Sequence, residues 1–263
     1  MSPGTPSAAG TWSPDRPPGE TPTFAQLLGH TDEQAAVALL EQDLRASDVT
    51  SLEVRLVWDA DAAPDLRMLR DGQRRVLCAA GFHLEVDRVR VEWRGSPKPV
   101  PSIRLTFRPA ASVDKAALVE VFAAVGQGAL DHAMVTGRVE HGRHGEALIR
   151  LARARRRRYA DDWFVIGLNG AGVPVGYVQS ALAENDRAIL AEVGVVESHL
   201  GHRHVDDLLA SSTGVLTDHG QRHTRASTDA ANRGMRAAFA RAGYAETGTR
   251  SDFRQRATTP TTT

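Results

Sequence analysis

The chain has little cysteine, little lysine and no long apolar run. Its only cysteine among 263 residues is Cys78, so no disulfide forms within the chain and a reducing cytoplasm is the expected setting. Cys78 lies in the segment VLCAAGF, where we expect it to pack on the apolar face of a helix rather than to act as a reactive thiol. The sequence has no run of about 18 apolar residues, so it does not predict a membrane span. It also has no basic N-terminal segment followed by an apolar one, so it does not predict export.

The charges are balanced, which argues against a general attraction to polyanions. Lys98 and Lys115 are the only lysines, yet Lys plus Arg equals Asp plus Glu at 32 each. A balanced chain has no overall field that recruits nucleic acid or an anionic membrane surface. The basic run at Arg153 and 155–158 is expected to be a solvated helical face, with contact to an anionic substrate as the alternative.

Composition divides the chain into two ordered blocks. Residues 1–22 and 257–263 are rich in proline, glycine, serine or threonine and have almost nothing to bury, so we expect disordered tails. The segment GSPKPVPS at 95–102 is the best candidate for a linker. The blocks on its two sides are then 23–94 and 103–256.

Both blocks alternate helices and strands. In the first, apolar residues recur at helical spacing over 36–44 and alternate along a strand over 52–58, and Gly81 ends a second helix. In the second, two apolar runs around NGAG at 169–172 are typical of a β-hairpin. The run at 187–196 then predicts another strand.

The two blocks end alike. The order helix, strand, helix, strand is predicted over 32–93 and again over 204–254, and RRVLCAAGF and MRAAFARAGY occupy equivalent places. The shared order of four elements indicates an internal duplication, although helix ends also resemble one another by chance.

The segment VGVVESHLGHRHVDDLL at 193–209 contains the best candidate for a binding site. An apolar strand runs into a short polar loop and then into an amphipathic helix. The first N–H groups of that helix have no acceptor within the helix, and the helix dipole is positive there. Such an end binds phosphate or pyrophosphate, although every strand–loop–helix unit has one.

This segment resembles the acetyl-CoA motif of the GNAT superfamily of N-acetyltransferases, (Arg/Gln)-x-x-Gly-x-(Gly/Ala), with Leu200, Arg203 and Val205 at the three named positions and Gly201 between them. DAANRGMRAAFARAGY at 229–244 resembles the second signature of the family, Asn-x-x-Ala-x-x-x-Tyr-x-x-x-Gly-Phe. FRPA, with the helix expected after it, is similar to the first strand of the family. The tandem plan, with a reduced N-terminal copy, is similar to that of two-repeat members such as mycothiol synthases.

The resemblance implies an α/β fold with a mixed, mostly antiparallel sheet flanked by helices and preceded by a partial repeat. It implies transfer of an acetyl group from acetyl-CoA to a primary amine of a small molecule. The residues placed at the cofactor by this resemblance are Val195, Val196, Leu200, Gly201, His202, Arg203, His204, Val205 and Asn232. Asn232 is equally suited to capping its helix. The first block lacks a counterpart of the strand before the phosphate loop, so we expect no cofactor site there.

For catalysis the resemblance implies that the fourth strand splays near its middle and that a backbone N–H polarises the acyl carbonyl. Glu192 is the one acidic residue inside that strand. Between apolar neighbours its pKa would rise towards a value useful for a base, unless its side chain faces outward. Phe239 stands where the family has a tyrosine acid, which leaves Tyr244 as a weak candidate for that role.

Two departures leave a second hypothesis open. Arg203 and Val205 carry Cβ atoms where the motif has small residues that let the backbone approach a pyrophosphate. Either the Arg203 guanidinium compensates, or the site is degraded and the protein is a non-catalytic acyl-CoA sensor or interaction module. We expect no metal, because the spacing of His199, His202 and His204 fits no common zinc pattern. The sequence leaves the oligomeric state open, a homodimer included.

Overall fold

The structure, a computed structural model of the chain, describes residues 11–12, 33–46, 51–60, 64–95, 97, 100, 103–183 and 186–256. These residues form two compact units. The first consists of the described residues up to Val89 together with those from Thr247 onward, and the second runs from Arg90 to Glu246.

The described residues contain six α-helices and nine strands, which alternate along much of the chain. In chain order they are β1 (Thr11–Trp12), α1 (Glu33–Ala46), β2 (Ser51–Asp59), α2 (Pro64–Ala79), β3 (His83–Trp93), β4 (Thr106–Pro109), α3 (Lys115–Gln127), α4 (His132–Arg155), β5 (Phe164–Leu168), β6 (Pro174–Leu182), β7 (Ala188–Val195), α5 (His204–Asp218), β8 (Thr224–Asp229), α6 (Arg233–Arg241) and β9 (Ala245–Arg256). The order helix, strand, helix, strand predicted over 32–93 and 204–254 is confirmed, as α1–β2–α2–β3 and α5–β8–α6–β9.

The unit boundaries differ from the predicted domain boundaries. The chain passes from the first unit to the second inside β3, before the predicted linker 95–102, most of which lies outside the described residues. The predicted C-terminal domain was 103–256, but from Thr247 onward its last strand, β9, belongs to the first unit. Strand pairing is the reason, because β9 lies antiparallel to β2 from Ser51–Arg256 to Asp59–Gly248.

The predicted N-terminal tail is wrong at one point. Thr11 and Trp12 form β1, which pairs antiparallel with Arg55 and Val54 of β2. The rest of residues 1–22, and the predicted tail 257–263, lie outside the described residues.

In the first unit the strand order is β1–β2–β9–β3. Alternate residues of β2 point inward, so Val54, Leu56 and Trp58 pack in one cluster with Leu40 of α1 and Leu77 of α2. Burial of this apolar surface holds the two helices on one face of the strands.

The expectation that Cys78 is buried was wrong, because its side chain is exposed. The buried stripe of α2 contains Gln73 and Leu77 and continues to Ala80 just beyond it. Cys78 is one residue, or about 100°, away from Leu77 around the helix and therefore points to solvent.

In the second unit the strand order, from the end of β3, is β8–β7–β6–β5–β4. The pairs from β4 to β7 are antiparallel, and β7 pairs with β8 in parallel. Tyr177 of β6 stacks on Phe122 of α3, whereas a Cβ on the preceding Gly176 would contact Leu208 of α5. Neighbouring strand residues face opposite sides, so helices cover both faces, and the predicted mixed, mostly antiparallel sheet flanked by helices is confirmed.

No single helix among the described residues is long and apolar enough to cross a membrane. Helices α3 and α4 satisfy that test only when taken together, and they are bent by 116° relative to each other.

Candidate active site

Strand β7 is irregular at its middle. Glu192 pairs with Gln179 on β6, but the next pair along is Leu190 with Ser180, so Ala191 has no partner in the ladder. An extra residue of this kind is a β-bulge, which bends the strand and changes the direction of nearby side chains. The bulge therefore lies directly beside Glu192, the acidic residue singled out by the sequence.

The opposite edge of β7 is paired over a short stretch. Its parallel pairing with β8 consists of Ala188 with Thr224 and Ile189 with Arg225. Over residues 190–195 no further pairs with β8 occur in the described part of the chain. The pairing with β8 therefore ends near the middle of the strand, where the splay was expected.

Glu192 does not face outward. Its side chain is 14% exposed, and its Oε1 accepts a hydrogen bond from the Tyr177 hydroxyl at 2.5 Å. The same oxygen lies 3.2 Å from Nη1 of Arg150. Tyr177 is fully buried, so the carboxylate is held by one phenol and one guanidinium at the edge of the core.

Arg150 connects this carboxylate to the helices. Its Nη1 donates to the Tyr177 hydroxyl at 2.8 Å, and its Nη2 donates to the carbonyl oxygen of Phe122 at 2.5 Å. Its Nε lies 3.0 Å from Oε1 of Glu146, one turn earlier on α4. We call Glu146, Arg150, Tyr177 and Glu192 the buried charge cluster.

Burial shifts the acid–base equilibria of this cluster. It raises the pKa of Glu192, while the Arg150 charge and the Tyr177 hydrogen bond oppose that rise. Burial and the neighbouring Glu192 carboxylate raise the pKa of Tyr177 well above its usual value. A carboxylate with a raised pKa is a stronger base, which suits proton abstraction near neutral pH.

Three members of the buried charge cluster were missed from the sequence, namely Glu146, Arg150 and Tyr177. A signal for two of them exists in α4, where Glu146 and Arg150 alternate at spacings of three and four with buried Ala147, Leu151 and Ala154. Charged residues on the apolar stripe of a helix are rarely buried unless they are paired. Tyr177, in an otherwise apolar strand, has no comparable local signal.

The loop predicted to hold phosphate lies between β7 and α5. Val195 still pairs with Gly176, and the Val196 N–H donates to the carbonyl of Val175 at 2.9 Å. Gly201 has a φ of +83°, and a Cβ built on it would have no neighbour within 4 Å. The backbone at Gly201 is therefore open to a ligand.

Arg203 does not block this loop. It precedes α5 with a φ of 59°, a left-handed conformation that a residue with a Cβ adopts at a cost of about 1–2 kcal/mol. Its side chain is 63% exposed and its Nε donates to Asp206 at 2.8 Å. Asp206 also accepts from Arg241 at 2.7 Å. The guanidinium therefore turns towards the first turn of α5.

Arg104 is a further basic residue at the loop that the sequence did not single out. Its Nη1 donates to the carbonyl of His202 at 3.0 Å and its Nη2 to that of Arg203 at 3.3 Å. Its Nη2 also lies 2.8 Å from Asp207, and its side chain is 47% exposed. Arg104 thus holds the loop backbone through two carbonyl groups.

The loop fits a diphosphate by the chemistry of its groups. Arg104, Arg203 and Arg241 face two carboxylates, Asp206 and Asp207, which leaves one positive charge in excess. The N–H groups that begin α5 add the positive end of a helix dipole. The backbone is open at Gly201, so the residues present are compatible with the diphosphate of coenzyme A.

Solved structures share this arrangement of strands and helices. The GCN5-related N-acetyltransferase from Sphaerobacter thermophilus has a TM-score of 0.55 and 16% identity, over 85% of this chain and 66% of that one. A tandem GNAT protein from the clavulanic acid biosynthesis pathway has a TM-score of 0.52 and 16% identity, over 86% and 70% of the two chains. The chain has the GNAT fold. A GNAT-family acetyltransferase from Colwellia psychrerythraea, with a TM-score of 0.50 and 16% identity over 85% and 72%, agrees.

These likenesses concern the fold. No protein-family model matches the sequence, and no curated protein matches it significantly. The chain spans 66% of the length of the Sphaerobacter thermophilus protein. Identity of 16% over such a span shows a shared GNAT fold, and function has to be argued from the site itself.

Tyr244, the predicted general acid, lies in the core with its hydroxyl hydrogen bonded. Its side chain is 4% exposed, and its hydroxyl is hydrogen bonded to Thr213 of α5 at 2.8 Å. Burial raises its pKa to about 12. Phe239 is 2% exposed and packs against the Tyr244 ring. The burial of this hydroxyl and its hydrogen bond to Thr213 argue against the predicted role of Tyr244 as the general acid.

For the other residues predicted to contact the cofactor, the structure gives the local surroundings. Asn232 caps α6, because its Oδ1 accepts from the Met235 N–H at 3.1 Å. Leu200 is 49% exposed, and Val205 lies in the first turn of α5. The described residues contain no group of three or more His, Cys, Asp or Glu side chains placed to hold a metal ion.

Three loop histidines lie near one another without forming such a group. The His204 ring lies 6.0 Å from that of His199 and 5.9 Å from that of His202, measured between centroids. His204 Nδ1 is 3.7 Å from Asp207, and burial together with the charge of Arg104 lowers the pKa of His204. The neutral imidazole therefore remains available as a hydrogen-bonding group beside the loop.

Proposed function

We propose that this chain is an N-acetyltransferase that transfers an acetyl group from acetyl-CoA to a primary amine of a small molecule. One observation carries the proposal: Glu192, with a raised pKa, lies beside the bulge at Ala191, where β7 parts from β8. A base and unpaired backbone groups at one place are what amine acylation requires.

In this proposal Glu192 accepts a proton from the ammonium group of the acceptor, directly or through one water. Arg150 and Tyr177 orient the carboxylate during that step. The bulge at Ala191 frees backbone from the β6 ladder, and an N–H freed in this way donates to the carbonyl oxygen that gains negative charge during attack. Acetyl-CoA, when bound, supplies the acetyl group as an activated thioester.

Residues 200–205 hold the diphosphate in this proposal, with Arg104 and Arg203 contributing charge. Each of these guanidiniums is about half exposed or more and has a carboxylate partner at 2.8 Å. Because the Tyr244 hydroxyl is bonded to Thr213, the leaving thiolate takes its proton from water.

The test has two stages. Isothermal titration with acetyl-CoA measures binding, and free thiol released from acetyl-CoA across a panel of amines measures transfer. We expect Glu192→Gln to leave the Kd for acetyl-CoA unchanged and to lower kcat by about 10²- to 10⁴-fold, the usual contribution of a general base. Glu140→Gln, at an exposed carboxylate on α4, is the matched control and should behave as wild type. Absence of binding at millimolar acetyl-CoA contradicts the proposal.

A second candidate function is a non-catalytic acyl-CoA sensor. The position of Tyr244, with its hydroxyl bonded to Thr213, favours it, because the usual acid is then missing. The same two measurements separate the candidates. A sensor binds acetyl-CoA without releasing thiol for any amine, whereas turnover that depends on Glu192 excludes it.

A further inference from the structure

The buried charge cluster contains two carboxylates and one guanidinium. The side chains of Glu146, Arg150 and Glu192 are 8%, 6% and 14% exposed. Arg150 is shared, with Nε at 3.0 Å from Glu146 and Nη1 at 3.2 Å from Glu192. With all three groups ionised the cluster has one excess negative charge, which is costly in a site of low polarity.

Close packing holds Glu146 in this position. A Cβ on Gly137 would lie 2.9 Å from Cγ of Glu146, and a Cβ on Gly126 would lie 3.2 Å from its Oε2. Two glycines on two helices therefore make room for this side chain. Its Oε2 is buried with no hydrogen-bond partner among the described residues. Glu146 is thus kept close to Arg150 although its carboxylate is poorly solvated.

We propose that Glu146 is a positioning residue that acts on Glu192 through Arg150, by placing a second negative charge beside the guanidinium, 3.0 Å from its Nε. The inference rests on the proposed function for its consequence in catalysis. The coupling itself is a property of the buried side chains and exists whether or not acetyl transfer takes place.

The sign of the effect follows from the charges that face each group. Glu192 faces Arg150 and Glu146 from α4 and Tyr177 from β6, and Glu146 faces Arg138, Arg150 and Arg153 of its own helix. Burial raises the pKa of both carboxyl groups. Arg150 lowers the pKa of Glu192 and Glu146 raises it. Glu146 therefore makes Glu192 a stronger base, and two groups coupled in this way titrate as a pair.

The experiment follows the side-chain carboxyl ¹³C resonance of Glu192 against pH in the full chain labelled at glutamate. The resonance is assigned by its loss in Glu192→Gln. We expect Glu146→Gln to move the midpoint to lower pH and Arg150→Gln to move it to higher pH. Glu146→Asp, which keeps the charge, should restore part of the wild-type midpoint, and Glu140→Gln should leave it unchanged. If Glu146 had only a structural role, Glu146→Gln and Arg150→Gln would not shift the Glu192 midpoint in opposite directions.

Equal midpoints in Glu146→Gln and Glu140→Gln overturn the proposal. Should the variants fail to fold, the wild type decides, because coupled carboxyls each titrate in two steps and independent ones in a single step. Where transfer is measurable, the acidic limb of kcat/KM should move with the Glu192 midpoint. If no transfer occurs but the midpoint still moves, the proposed function fails and this inference stands.

Discussion

Replacing Gly194 with alanine tests how closely β7 is held against α3 beside Glu192. A Cβ built on Gly194 would lie 2.2 Å from Cγ1 of Val125, far inside the contact distance of about 3.5–4.0 Å between carbon atoms. Val125 is 2% exposed and β-branched, so it has few alternative rotamers. The strand or the helix must therefore move by more than about 1 Å.

The magnitude follows from the size of that overlap. Overpacking a buried site by one methyl group costs about 1–3 kcal/mol, and we expect the upper end because neither neighbour is a flexible chain end. For a protein of this size the melting temperature falls by about 2–4 °C per kcal/mol, so a cost of about 3 kcal/mol in Gly194→Ala should lower Tm by about 6–12 °C. Transfer should fall as well, because the displaced segment adjoins the bulge at Ala191.

Thermal and urea unfolding of a double-mutant cycle measures the effect. Val125→Ala removes the overlapping methyl group, so Gly194→Ala should cost about 1–3 kcal/mol less in that background than in the wild type. Gly214→Ala is the control, since a Cβ at this helical position meets nothing within 4 Å and should be neutral or stabilising. Additivity of Gly194→Ala and Val125→Ala within about 0.5 kcal/mol would refute the steric argument.

Two further predictions concern the loop and the core. Arg203→Gly should be more stable than Arg203→Ala by about 1 kcal/mol in urea unfolding, because glycine adopts the φ of 59° without strain; equal stability would show that this conformation is not required. Tyr244→Phe should cost about 1–3 kcal/mol by leaving the buried Thr213 hydroxyl without its partner, with an unchanged rate of thiol release. A tenfold or larger fall in that rate would return Tyr244 to the list of catalytic groups.

Much of the secondary structure follows from short-range patterns in the sequence. Alternation over 52–58 predicted β2, and Gly81, with a φ of +83°, ends α2 as expected; Gly243, with a φ of +82°, ends α6 in the same way. The phosphate loop was predicted from one strand, one loop and one helix. Each of these signals spans fewer than about 20 residues, so each can be recognised from the sequence without knowledge of the fold.

Glu192 could be recognised from the sequence, whereas the side chains that contact it could be found only from the tertiary structure. As the one acidic residue in its strand it was recognised from the sequence, but its neighbours were not. Arg150 is 42 residues away and Tyr177 is 15 residues away along the chain. Tyr244 shows the reverse, since a residue at a plausible motif position has its hydroxyl enclosed beside Thr213.

By itself the sequence determined the helices, the strands and the open loop before α5, because periodicity, caps and glycine conformations act between neighbours in the chain. Only the tertiary structure decided that β9 pairs with β2, where Val54 meets Phe253, and that one arginine serves two buried glutamates. Strand pairing and side-chain burial depend on which surfaces come into contact in the folded chain. Contacts between residues far apart in sequence produce no local sequence pattern that predicts them.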